Sequence, residues 1–293
     1  MIHDQLNETL KYFNRRGEDQ SLGFPDIERC YDFNGYPPGT HTILQAKSKV
    51  GKTLLLVNSV KYLIDNKKKV LFNSMDMVGW KIVAMLTRLI LKMEPRDIRL
   101  DCEHKGTDWI KTAIREAGVY EYLRVFDKRG ANVTDIRREI DEWEPDVVFT
   151  DYLQAVSSSK DKTDSFRHVT EVAQQMMGMA QQTQKIFFTL SQIGRGAVGE
   201  KDDDGAVMPG ISASFGSGII EASVDCLISA CRKDIKDSCH SENRGTIEFK
   251  VVASRFGRSG VPTVYHYSPL TTELIHQDKF TGFKYNKSKY EYD

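Results

Sequence analysis

The 293 residues are enough for one large α/β domain, or two small ones, with a buried core. Hydrophobic residues make up 40% and charged residues 28%, a globular balance, and no run approaches the ~20 apolar residues of a membrane-spanning helix. Lysine plus arginine equals aspartate plus glutamate at 41 each, which removes the basic excess of a duplex-coating protein yet allows basic groups confined to the bore of a ring.

The N-terminus carries early acids and no apolar run, so it is not a secretory signal, and a cytoplasmic protein is expected. Within it, Gln5 to Arg16 places Leu6, Leu10 and Phe13 at helical spacing. That stripe is narrow, and it suits packing either on its own domain or on a neighbouring subunit. From about residue 39 to 275, strand-length apolar runs alternate with helix-length amphipathic segments. Strands are expected at 41–46, 69–74, 123–127, 146–151 and 185–191, then at 223–232, 245–254 and 262–268. Helices are expected over Lys52–Asp65, Val78–Lys92, Thr107–Ala117, Val133–Trp143 and Ser165–Gln182. Strands that are apolar throughout and separated by helices form a parallel sheet covered on both faces. The strand-rich final third, with turn signals at Arg258-Ser259-Gly260, adds antiparallel strands at one edge.

The strongest chemical signal is Ala46-Lys47-Ser48-Lys49-Val50-Gly51-Lys52-Thr53, between the first strand and the first long helix. A phosphate loop needs backbone N–H groups turned inward at a helix N-terminus, where the partial positive charge favours an anion. Gly51 lets the backbone approach, Lys52 reaches the β- and γ-oxygens, and the Thr53 hydroxyl takes Mg2+. The general pattern has Gly where Ala46 stands. Further on, the apolar strand ending at Asp151 suits a carboxylate on the magnesium side. Hydrolysis also needs a group to orient or deprotonate water. Asp76, after the strand KVLFNS, is placed for that task, or alternatively for capping the next helix. Gln192 ends another strand, where an amide can touch the γ-phosphate. The polar stretch Gly194–Gly210 beyond it is long for a connection.

Arg255 and Arg258 stand at a turn after a late strand, and local pattern leaves both a phosphate role and simple solvation open. Cys226, Cys231, Cys239 and His240 could number four metal ligands, but they lack the close pairing of zinc knuckles. Together with Cys30 and Cys102 the cysteines read as reduced structural thiols. The last residues, 280–293, alternate aromatics with lysines, a pattern that either stacks bases or frays.

These stretches resemble one family along nearly the whole chain, the motor domain of DnaB-type hexameric replicative helicases. Its phosphate loop takes the form A-R-P-x-M-G-K-T, which accommodates Ala46. Val70–Met77 resembles its V-L-F-F-S-L-E-M, Thr150–Gln154 its I-D-Y-L-Q, and Thr189–Arg195 its A-L-S-Q-L-N-R. The family's base is Glu, one methylene longer than Asp76. Its inter-subunit K-x-R falls on Ala253-Ser254-Arg255, so the finger is Arg255, with Arg258 as a fallback. Its DNA-facing R-E-S-G aligns with Phe215-Gly216-Ser217-Gly218, and DNA contacts shift to Arg167, Arg195 or Lys201.

The resemblance implies a RecA-like α/β fold, ATP and Mg2+ as cofactors, and a homohexamer on single-stranded DNA. A primase, helicase loader or polymerase is the matching kind of protein partner. It divides the chain into a linker helix (1–22) docking between subunits, a motor domain (23–276) and a basic, aromatic tail (277–293), without the family's primase-docking domain, as in a phage or mobile-element version. Two other readings remain at this point. One is a recombination or strand-annealing protein that uses ATP as an assembly switch, and the other is a weakly hydrolysing replication adaptor.

Overall fold

The computed structural model describes residues 2, 5–6, 10, 19–29, 35–157, 165–193, 199–201, 207–210, 224–232, 245–260, 262–282 and 284–289. In chain order the elements begin with α1 (Pro25–Glu28), β1 (His41–Ala46), α2 (Lys52–Asp65), β2 (Val70–Ser74), α3 (Gly79–Leu91) and α4 (Pro95–Lys105). Next come α5 (Asp108–Glu116), α6 (Val119–Tyr122), β3 (Leu123–Phe126), α7 (Val133–Trp143), β4 (Val147–Asp151) and a 3-10 turn at Leu153–Ala155. The chain continues through α8 (Ser165–Thr183), β5 (Ile186–Gln192), β6 (Gly199–Lys201), β7 (Val207–Pro209) and β8 (Cys226–Cys231). It closes with β9 (Thr246–Ser254), β10 (Pro262–Tyr267), β11 (Leu274–His276) and a 3-10 turn at Gln277–Lys279. No described helix is long and apolar enough to cross a membrane.

Nine strands form one sheet in the order β11-β10-β9-β8-β1-β5-β4-β2-β3. Its six strands from β8 to β3 run parallel, and β9, β10 and β11 extend it antiparallel. β1 lies in the middle and all six of its residues are buried. Its side chains alternate between two cores, Leu44 among the residues under α2 and α3, Ile43 among those under α7 and α8. Each such fully buried aliphatic side chain stabilises the fold by about 1.5–3 kcal/mol. Helix α2 exists because Leu55, Leu56, Val60, Leu63 and Ile64 recur at helical spacing and are buried against the sheet. α7 starts at a capping box in which Asn132 accepts from the Asp135 N–H and the Asp135 side chain accepts from the Asn132 N–H.

The antiparallel edge and the five long helices read from sequence are present, the helix ends displaced by at most one residue. α4 was not anticipated, since it buries only Leu100 and Asp101 and has almost no apolar period. Of the N-terminal stripe, Leu6 and Leu10 are helical and exposed at 53% and 49%, and Phe13 lies outside the described residues. The C-terminal residues 284–289 do not stand away from the fold. Asn286 donates from its side chain to the Leu91 carbonyl (2.6 Å) and from its backbone to that of Lys92 (2.8 Å), and Ser288 donates to Asp101 (2.5 Å).

Candidate active site

The site is built at the carboxyl ends of β1, β4 and β2, where a parallel sheet opens a crevice. Ala46 ends β1 fully buried, and Lys47, Ser48 and Lys49 arch outward into solvent. Val50 turns back into the core at 3% exposure and anchors the loop. Gly51 then takes φ +110°, and a Cβ there would lie 2.7 Å from the Ile247 Cδ1. The left-handed φ favours glycine at the point where the loop becomes α2, while the Ile247 Cδ1 is a side-chain tip that can shift. The first N–H groups of α2 carry no side-chain cap, which leaves them available to an anion.

Lys52 folds over the loop and donates from Nζ to the carbonyls of Ala46 and Lys47, both at 2.9 Å. Burial pulls its ammonium down to about 8, and the Asp151 charge resists that shift. The Thr53 hydroxyl donates to Asp151 Oδ2 at 2.7 Å. Burial pushes the Asp151 carboxyl up, the Thr53 hydrogen bond and Lys52 pull it down, and Asp76 adds a further upward push. Asp76 follows the end of β2, whose Ser74 pairs with Asp151 in register, and it is exposed at the mouth. Its alternative role as a helix cap is not realised. The cap residue of α3 is Val78, and the Gly79 N–H is instead taken by Asp127 from the end of β3 (2.6 Å).

Gln192 ends β5 with its side chain exposed, while Gln154 clamps its backbone, accepting from the Gln192 N–H (3.1 Å) and donating to its carbonyl (2.9 Å). Arg232, which the sequence reading did not single out, follows β8, donates to the Lys49 carbonyl (3.3 Å) and lies 4.3 Å above the Tyr267 ring. Its only signal in sequence was a cation closing an apolar strand.

Arg255 lies elsewhere. It follows β9, whose Ser254 pairs with Cys226, which in turn pairs with Thr42 near the start of β1. That is roughly 13 Å of strand away from the phosphate loop, by the amino ends of the parallel strands. There its N–H donates to the Asp225 carbonyl (2.8 Å), and its guanidinium sits 3.7 Å from the buried Asp225 carboxylate. Arg258 is exposed nearby.

Of the expected DNA contacts, Arg167 is exposed on α8, and Lys201 ends β6, its side chain outside the described set. Arg195 and Phe215 to Gly218 lie outside the described residues. Cys226 and Cys231 are buried thiols of β8, Cys239 and His240 are outside the described residues, and no metal-ligand cluster occurs among the described ones.

A phosphate loop at the end of a central parallel strand, with an acidic strand end hydrogen-bonded to the loop's threonine, defines a RecA-like P-loop nucleotide-binding fold. The family model for the DnaB-like helicase C terminal domain matches residues 21–272, and the chain belongs to that family. It is 24% identical over 276 residues to the replicative DNA helicase DnaC of Bacillus subtilis (strain 168), covering 88% of this chain and 58% of that protein. It is 24% identical over 236 residues to a probable plasmid replicative DNA helicase of Chlamydia trachomatis, covering 79% and 49%. The chain thus spans about half the length of the curated relatives it matches. Among solved structures, one ATPase domain superposes with a TM-score of 0.79 at 21% identity, covering 94% of this chain and 98% of that one. A DnaB-like replicative helicase, described with its interactions with primase, gives 0.78 at 20% identity, covering 94% and 66%. These likenesses establish the fold.

Proposed function

We propose that the protein is an ATP-hydrolysing DNA helicase motor that moves along single-stranded DNA as a ring of identical subunits, six by resemblance. The observation that carries this reading is the pairing of Thr53 with Asp151 beside Lys52, with Arg255 at the opposite strand ends of the same sheet. The oxygen donors of Thr53 and Asp151 fit a hard cation such as Mg2+, and the glycine cradle at Gly51 fits a phosphate. Magnesium bound there would neutralise charge developing on the phosphate oxygens. Backbone N–H groups from Ala46 to Thr53 bind the phosphates, and Lys52 leaves the loop carbonyls for them. Asp76 orients or deprotonates the attacking water, and Gln192 registers the γ-phosphate. Arg255 serves a neighbouring copy, since its own phosphate loop lies at the other end of the strands. Arg167, Arg195, Lys201 and the 215–218 stretch contact the DNA, and a primase, loader or polymerase is the corresponding protein partner.

The test is the ATP hydrolysis rate with and without single-stranded DNA, measured beside Lys52→Ala and Asp76→Ala. Strong stimulation by DNA in the wild type, with hydrolysis lost in both variants by about 10²-fold or more, is expected. A slow rate indifferent to DNA and to Asp76→Ala would overturn the motor and favour an ATP-switched binder.

A further inference from the structure

Near the carboxyl edge of the sheet, three neighbouring strands carry polar side chains on one face at one level. Gln45 of β1 is in register with Ser229 of β8 on one side and with Ser191 of β5 on the other. All three are fully buried at 0% exposure. On the same face one step earlier, Ile43 and Leu227 are apolar, and their neighbour on β5 is the buried Thr189. Aliphatic side chains would suit that level for stability, because a buried amide or hydroxyl costs free energy unless every donor is satisfied.

The donors of Gln45 and Ser229 are satisfied, and their acceptors are informative. Gln45 Nε2 donates to the Ser229 hydroxyl (2.8 Å) and to the Gly210 carbonyl (2.9 Å), and the Ser229 hydroxyl donates to the Pro209 carbonyl (2.6 Å). Two successive carbonyls at the foot of the β6–β7 hairpin are thus held by one chain of hydrogen bonds. On the other side, the Ser191 hydroxyl accepts from Gln154, the residue that also clamps the Gln192 backbone. Gln45 immediately precedes Ala46, whose carbonyl holds Lys52.

We propose that Gln45 and Ser229 are positioning residues that latch the β6–β7 hairpin to the phosphate-loop strand, so that the nucleotide state sets the hairpin's position. The inference rests on nucleotide binding at Ala46–Thr53. When Lys52 leaves the Ala46 carbonyl for a phosphate, the end of β1 is released from one restraint. Connected hydrogen bonds carry such a change better than apolar packing, because each requires a fixed direction as well as a distance. Lys201 belongs to β6 of that hairpin, so a shift at its foot moves one of the positions proposed to meet DNA.

The test uses the whole chain with Gln45→Met, which conserves volume, and Ser229→Ala, which removes only the hydroxyl; circular dichroism checks the fold of each. Amide hydrogen exchange of the peptide spanning residues 199–210 is followed with and without a non-hydrolysable ATP analogue. The wild type is expected to change its exchange rate at least fivefold on adding the analogue, and both variants to lose that response while still binding it. A response retained in both variants, or absent from a wild type that binds the analogue, would overturn the latch. A wild type that fails to bind the analogue overturns the latch together with the nucleotide site beneath it. A parallel arm measures affinity for an oligothymidine. If the wild-type hairpin responds to nucleotide but no DNA binding is seen, the helicase reading fails and the latch survives.

Discussion

Lys52 shows how a binding group is held ready. Its ammonium lies over two loop carbonyls in a desolvated pocket, which brings its titration down to about 8. Between that value and the ordinary 10.5, the unfolded chain holds a proton that the folded one has released. Rising pH across this window therefore favours the folded, unliganded protein. A bound polyphosphate reverses the balance, because its charge draws the proton back. Calorimetry near pH 8 in buffers of different ionisation enthalpy should show an uptake of about half a proton per nucleotide. Lys52→Ala should show none, and equal uptake in the two proteins would mean that Lys52 does not meet the phosphate. The placement of Asp151 beside the loop was legible from its position at the end of an apolar strand. That of Arg232 was not, because it depends on where β8 ends relative to a loop 183 residues earlier.

At the level of elements, helix α3 ends in a left-handed Lys92 and would leave its last carbonyls without partners. The polypeptide supplies those partners from the far end of the chain, through Asn286. Asn286→Ala should cost about 1 kcal/mol and lower Tm by roughly 2–4 °C for a domain of this size. An unchanged Tm would show that solvent satisfies the Leu91 carbonyl equally well. Elements with a strong apolar period were legible in the sequence. β1 with its loop and α2 is the clearest, because buried strand, glycine turn and amphipathic helix agree with one another. The rest was not, for physical reasons. α4 buries too little to leave a pattern, β11 is three residues long, and the Asn286 contact is a long-range hydrogen bond with no local signature. The polar row of Gln45, Ser191 and Ser229 was hidden likewise, since only strand register brings those positions together.

For the whole molecule, the sheet separates the phosphate loop from Arg255, so on the reading proposed above a complete catalytic centre draws on two copies. Arg255→Ala should leave nucleotide binding intact and abolish hydrolysis. Mixed with Lys52→Ala, it should regain activity that neither variant has alone, because one supplies an intact loop and the other an intact arginine. A mixture as inactive as its components would place the arginine outside the reaction. The Asp225 carboxylate beside Arg255 is consistent with an arginine held in place before a neighbour arrives.

If Arg255 serves a neighbour as proposed, its place at the strand ends opposite the loop gives every copy a giving side and a receiving side. Copies joined in an open row always end with one receiving side unserved and one giving side idle. Closing the row leaves neither, whatever the number of members. Specific activity per subunit should therefore climb as protein concentration rises and rows lengthen, then reach its ceiling abruptly at closure.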